Sequence, residues 1–427
     1  MKKPAFKIIP EVLSPGLSDS LKEHAEHQEE LTARLDKVLI HKYWGFPIMV
    51  VCFSLLFLAS FTIGAPISEL LGLMLDRFAE LFQQSVFSYY LPPLLMSMIA
   101  DGVFRGIGSA LAFFPQMLLF FAFFTVITET GYADRIAFIM HRPMARLKMA
   151  GQTFTPLILG YSCNVSSIIS ARSIPNPLDR LIMMLISSFI PCSARFAVIL
   201  YIAAAFFAPV TATLIMSVLV VLSWVVTALV SYLIKTRFTA EYQPPESLPL
   251  SCYRWPKLKN VLKATLYRTL DFLNRIKNVV IISSVLIWFL SSFPLNAPFE
   301  ASFAARIGQV LEPIGELMGL NWRLLVALIF GFFAKETTLS TLGVLYHASE
   351  GLGDLGSILI QNITPLAGLT FLVVYMFYIP CVATLTCIYK ESQSRLFTLA
   401  TVVVSLLVGL LLGIVTYNLG SIIQLIW

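Results

Sequence analysis

Ile190-Pro191-Cys192-Ser193-Ala194 and Ile379-Pro380-Cys381-Val382-Ala383 are two copies of one pattern inside long apolar runs. Each is preceded by a segment that opens on glycine and carries polar residues its surroundings lack. The first is Gly160-Tyr161-Ser162-Cys163-Asn164-Val165-Ser166-Ser167, the second Gly331-Phe332-Phe333-Ala334-Lys335-Glu336-Thr337-Thr338. A proline inside a helix removes one hydrogen bond and frees a carbonyl a turn earlier. Irregular, polar backbone at membrane depth persists only where protein or a wet cavity surrounds it. A thiol beside such a break, present twice, points to a translocation site in a chain of two related halves.

The composition fixes the class. Of 427 residues, 57% are hydrophobic and only 13% charged, with a mean hydropathy of +0.81. Apolar runs long enough to span a bilayer recur, and the charged helix faces of a large soluble helical protein are missing. The expected fold is an all-α polytopic membrane protein with about seven to eight transmembrane helices. The polar start after Met1-Lys2-Lys3 is not a cleavable signal peptide. Six cysteines form no Cys-x-x-Cys pair and no disulfide framework. The net charge of +6 gathers in particular loops, a topology signal and not a nucleic-acid footprint.

Working outward, a charged segment (residues 1–43, helical from about Ser20 to His41) leads to a first span from Phe46 to about Ile63. An amphipathic stretch, 68–90, reads as an interfacial helix completing a 44–100 unit. Further spans fall near Ala110–Val126, Leu181–Phe206, Val210–Ile234, Asn278–Phe293, Leu366–Ile388 and Phe397–Val415. Between the halves, 101–235 and 278–427, lies a basic loop, 236–277, cytoplasmic by the positive-inside rule along with the N-terminus. Counting spans from it makes both glycine-led segments re-entrant hairpins. The first enters from the cytoplasm and the second from outside, with the Lys390-Glu391 to Arg395 loop back at the cytoplasm. That arrangement is an inverted repeat with a site near the midplane. Residues 347–364 are an extra loop of the second half.

Within this frame, Ser162, Cys163 and Asn164 supply a hydroxyl, a thiol and an amide where the first hairpin turns. Cys192 and Cys381 lie beside the proline breaks, and thiolates favour softer transition metals over Mg²⁺ or Ca²⁺; small residues easing helix contact are the competing reading. Lys335 and Glu336 are adjacent charges in apolar sequence, read as a gating pair or a structural lock. Glu129 ends a span as a mouth acid or a surface cap. Arg172 and Arg195 are expected to pair with acids or phosphates at the interface. His24 and His27 read as part of a solvated helix, and Gly351-Leu352-Gly353-Asp354 as a polar loop without the second aspartate of a protease dyad. No Gly-x-x-x-x-Gly-Lys-Ser/Thr loop occurs, so nucleotide binding of that kind, and enzyme activity, are not expected.

These residues resemble the membrane portion of bacterial ferrous iron transport protein B, whose gate regions belong to the nucleoside-recognition class. The resemblance runs from Leu35-Asp36-Lys37 through Trp44-Gly45-Phe46-Pro47, Glu129-Thr130-Gly131-Tyr132, Gly160 to Arg172, and Cys192-Ser193-Ala194-Arg195. It resumes at Gly331 to Glu336, Tyr378 to Thr384 and Lys390-Glu391. It departs where the family's proline after Cys-Asn-Val is Ser166, and where its paired acids are reduced to Thr128-Glu129. It implies Fe(II) as the transported substrate, with no permanently bound cofactor, in a bacterial inner membrane. Cys163, Cys192 and Cys381 are the implied ligands along the path, with Ser162, Asn164 and Glu129 assisting. It also implies a G-protein domain, expected here from a separate cytoplasmic polypeptide; further copies of the chain are the other expected protein partner, and nucleic acid is not one. Two other readings stay open: a nucleoside or organic-solute carrier with the same gate, and a non-transporting scaffold for a G protein.

Overall fold

Helices carry the chain, and no strand occurs among the described residues. The computed structural model describes residues 32–41, 43–83, 114–147, 149–238, 252–294, 299–346 and 352–426, with isolated positions between 95 and 111. Among the described residues six helices are long and apolar enough to cross a membrane, or seven if one bent pair counts as a single span. Exposed leucines, valines and isoleucines cover the outward faces of these helices, as lipid-facing surfaces require.

After a short helix α1 (residues 32–39) comes α2 (Gly45–Gln83), one unbroken helix of 39 residues. This corrects the separate interfacial helix expected from residue 68. Pro66 is accommodated within the helix, and the charges Glu69, Asp76 and Arg77 arrive too late to stop it. The remainder of that segment, and His24 and His27, lie outside the described residues. Helix α3 (Phe114–Glu129) packs on α2 and gives way to α4 (Tyr132–Ile139) through a bend of 82°. Gly131 turns the corner at φ 82°, a left-handed conformation that glycine adopts without steric cost. Asp36 of α1 is tied to Arg135 of α4 at 3.1 Å, with the guanidinium 4.2 Å from the Tyr253 ring.

The first glycine-led segment is two short helices, α5 (Phe154–Leu159) and α6 (Asn164–Ser170), packed against each other across the turn 160–163. Each is only about 10 Å long, far short of a hydrocarbon core of about 30 Å. Next come α7 (Pro177–Ile186), the Ile190-Pro191-Cys192 break, α8 (Ser193–Phe206) and the long α9 (Pro209–Phe238). The second half repeats this order. Helices α10 (Leu258–Ser292) and α11 (Phe303–Glu316) lead to the packed pair α12 (Trp322–Phe333) and α13 (Thr337–Leu345). An added α14 (Leu352–Asn362) precedes α15 (Pro365–Phe377), the Ile379-Pro380-Cys381 break, α16 (Val382–Ser392) and the long α17 (Arg395–Ile426).

The correspondence extends to the helix starts. Asn176 accepts from the backbone of Leu178 and Asp179 ahead of Pro177, and Thr364 accepts from Ala367 ahead of Pro365. A capping side chain followed by proline at the first helical position suits a helix N-terminus in both halves. Across the halves, α8 packs on α15 and α6 on α16.

Three sequence expectations are corrected here. The 258–277 part of the basic loop is the first half of α10, where its lysines and arginines extend a helix instead of ending one. Asp354 belongs to α14, not to a loop. Lys390 and Glu391 form the last turn of α16, which ends at Gln393 with φ 52°.

Candidate functional site: thiols at three helix breaks

Pro191 and Pro380 lack an N–H, and each biases the residue before it away from helical geometry. Ile190 is accordingly extended, at φ −77° and ψ 125°; in the second half the chain is already extended at Tyr378, two residues before Pro380, with ψ −178°. The chain re-enters helix two residues after each proline, at Ser193 and Val382. Cys192 is therefore the N-cap of α8 and Cys381 the N-cap of α16. Cys163, in the first glycine-led turn, is the N-cap of α6. All three candidate thiols thus stand at the N-terminal ends of broken helices, where the helix dipole favours negative charge. They also lie within electrostatic reach of one another, and Cys192 is within reach of Arg195 and Lys335.

Breaks of this kind leave carbonyls that must find donors in the protein. In the first half, Asn164 supplies them: with its amide nitrogen turned to the carbonyls, Nδ2 donates to Gly160 O at 3.0 Å and to Ile190 O at 3.3 Å. In the second half, Lys335 Nζ donates to Ile379 O at 2.9 Å. Asn164 follows Gly160 by the same four positions as Lys335 follows Gly331. Ile190 and Ile379 hold the same place in the doubled pattern. The two halves thus solve the same problem at the same position with different side chains.

Further bonds lock the turns together. Ser193 Oγ donates to Ser162 O at 2.9 Å, joining the two breaks of the first half. Arg195 is fully buried, its Nη1 donating to Ser188 O at 2.7 Å and its Nη2 to Tyr378 O at 3.1 Å. It spans the proline breaks of both halves, which corrects the interfacial pairing expected for it. The compact guanidinium fork can satisfy two carbonyls at once, and apolar neighbours in sequence give no hint of that. Arg172 does meet an acid, forming two bonds to Glu391 at 2.6 and 2.8 Å.

Lys335 is 3% exposed and sits 3.4 Å from the Tyr378 ring centroid, with Tyr375 at 5.2 Å. Tyr375 OH donates to Lys335 O at 2.8 Å, and Thr338 Oγ1 reaches Tyr375 OH at 3.3 Å. Among the described residues no ion pair joins Lys335 to Glu336; the ammonium faces Ile379 and the tyrosines instead. The Ser162 hydroxyl turns to Met117 Sδ at 3.8 Å. Cys381 Sγ lies 3.1 Å from Thr384 Oγ1. Glu129 ends α3 and is exposed. No group of three His, Cys, Asp or Glu side chains among the described residues is poised to hold a metal ion, so the thiols are neighbours without forming a closed cage.

Beside α6, from Ser166 in its first turn onward, lies a cavity of about 550 Å³, lined by α3, α4, α5, α6 and α10. Asp134, Asp271, Arg172 and Arg268 are its charged lining residues. None of these but Arg172 was singled out from sequence, because their elements meet only in three dimensions.

The sequence pattern of the family described as "Gate: Nucleoside recognition" matches residues 110–206 and 275–395, covering both sets of breaks. A curated Fe(2+) transporter FeoB from Staphylococcus aureus is 32% identical over 410 residues, 95% of this chain and 61% of its own. One of the same name from Synechocystis is 30% identical over 91% of this chain and 63% of its own. A Porphyromonas gingivalis fusion of Fe(2+) transport protein A with FeoB is 26% identical, covering 96% of this chain and 54% of its own. The chain therefore spans about three-fifths of the length of the first two relatives, and less of the third. No solved structure matches it.

Proposed function

Because the chain belongs to the nucleoside-recognition Gate family, we propose that it is the membrane part of a ferrous iron permease. Its substrate is Fe(II) or a similar divalent transition metal. One observation carries this reading: Cys163, Cys192 and Cys381, each the N-cap of a broken helix, lie within electrostatic reach of one another. The relatives' printed names add the metal.

Thiolate ligands suit a borderline-soft cation such as Fe(II). Binding through the thiols displaces their protons, so loading of the metal is coupled to proton release. A conducted ion must bind well enough to arrive and weakly enough to leave. Asn164, Lys335 and Arg195 act as positioning residues, holding the broken backbone open around the thiols. Ser162 and Glu129 remain assisting oxygens in this reading, and Lys335 and Glu336 the charged residues that change environment as the second hairpin moves.

The two halves cross the membrane in opposite senses. The Arg172–Glu391 bond supports this, since it joins two ends that loop charge independently assigns to the cytoplasm. In this reading the protein sits in the inner membrane with a cytoplasmic N-terminus, and a separately encoded G protein acts from that side. The fused relative supports the participation of further proteins.

Proteoliposomes holding the full chain test the proposal, with Fe²⁺ and uridine offered in parallel. Iron flux above empty vesicles is expected. Uridine flux without iron flux would transfer the site to the organic-solute reading, which the family's description favours. No flux of either would favour a scaffold.

A further inference from the structure

We propose that the hydroxyl of Tyr378 is a further group on the path, holding the water that a divalent cation carries as it passes the two Ile-Pro-Cys thiols. This rests on the reading that the chain moves a dication, and it adds a residue to the thiols without replacing any of them.

The backbone and the ring of Tyr378 are both engaged. It is the C-cap of α15, where the second break begins, and its carbonyl accepts from Arg195 Nη2 at 3.1 Å. The Lys335 ammonium lies 3.4 Å from its ring centroid, an attraction that holds the ring where it lies. Helix α17 closes on its backbone, since a Cβ at Gly409 would stand 3.0 Å from the Tyr378 Cα. The side chain ends at the second glycine-led segment, where a Cβ at Gly331 would stand 2.7 Å from Oη. Glycine at 331 therefore leaves the hydroxyl its place, a close approach that a side chain would block.

The hydroxyl itself has no hydrogen-bond partner among the described residues, although Tyr378 is only 5% exposed. Tyr375, one turn earlier, has the same group in full use. Its Oη donates to Lys335 O at 2.8 Å and accepts from Thr338 Oγ1 at 3.3 Å. A buried hydroxyl left unpaired costs free energy, so for packing alone phenylalanine would serve at least as well. Cys192 and Cys381 are both within electrostatic reach of Tyr378, which puts the unpaired oxygen at the thiol site. A phenol both donates and accepts. Neutral, it is a poor ligand for a divalent metal but a good partner for water bound to one. Contacts of that kind, made to the groups around a metal, tune its affinity.

The full chain in detergent, kept free of oxygen, is titrated with Co²⁺ alone, whose thiolate complexes absorb in the near ultraviolet. Thermal unfolding is followed in parallel. Tyr378→Phe removes one oxygen that the fold does not use, so it should melt no lower than wild type. Its Co²⁺ affinity should nonetheless fall by about tenfold, the lower end of what outer-shell partners contribute. Tyr375→Phe is the contrasting variant, because it strands the Lys335 carbonyl and should melt lower. Wild-type Co²⁺ affinity in Tyr378→Phe overturns the inference and leaves the permease reading standing. So does a melting temperature well below wild type, which would give the hydroxyl to the fold. A wild-type chain without any thiolate–metal absorption overturns both.

Discussion

Lys335 Nζ lies 2.9 Å from the carbonyl oxygen of Ile379, the oxygen that heads the second Ile-Pro-Cys break. The ammonium is thus spent on backbone that no helix can satisfy. Replacing it with methionine keeps most of the bulk but removes the donor. Lys335→Met should lower stability by about 1–3 kcal/mol, the cost of one buried carbonyl left unpaired. Thermal unfolding in detergent reads this out, and an unchanged melting temperature would show that water or another donor serves Ile379 equally well.

Asn164 holds the corresponding place in the first half, so its substitutions should follow the same logic with a sharper sign. Asn164→Asp swaps a donor facing Gly160 O and Ile190 O for a carboxylate facing the same two oxygens. Like partial charges then oppose at close range in low dielectric. Asn164→Asp should melt lower than Asn164→Leu, although aspartate is nearer in shape. The reverse order would contradict the assigned amide orientation.

Asp179 and Lys235 form an ion pair in which both side chains are fully buried, joining α7 to α9. Asp179→Asn should destabilise by about 3–5 kcal/mol, because it leaves a buried ammonium without its counter-charge. The double variant Asp179→Leu with Lys235→Met should recover much of that loss, since the desolvation cost of the pair disappears with it. Equal losses in the single and double variants would mean that packing at this junction, not charge, sets its stability.

The Arg172–Glu391 bond is a different case, because the Arg172 side chain is 54% exposed. Water screens it, and a double-mutant cycle should give a coupling of only about 0–1 kcal/mol, falling further in high salt. Its worth lies in position, since it ties the turn after α6 in the first half to the last turn of α16 in the second. A coupling of several kcal/mol would mean that the pair is shut off from water.

The breaks themselves are legible in sequence because proline and glycine act through the local backbone, and local rules need no partner. Gly160, Pro191 and Pro380 fall in the breaks between helices, Gly331 lies two residues before the end of α12, and the doubled pattern marks the two halves. What sequence does not give is the identity of the donors that heal the breaks. Arg195 lies among apolar neighbours like any helical residue, and only the approach of α8 to α15 brings Tyr378 O within its reach. The acids of the cavity are hidden for the same reason, since Asp134 and Asp271 come from α4 and α10, elements far apart in the chain. The single long α2 was missed because a few late charges imitate an interfacial helix without interrupting hydrogen bonding.

The central claim is that three thiols on three broken helices form one path for iron. Fe²⁺ flux into proteoliposomes, compared among wild type, Cys163→Ser, Cys192→Ser and Cys381→Ser, tests it most directly. Outer-shell partners alone are worth about 10–100-fold in metal affinity, so losing a ligand should slow transport at limiting iron by at least about tenfold in each variant. Wild-type flux in all three serine variants would contradict the account.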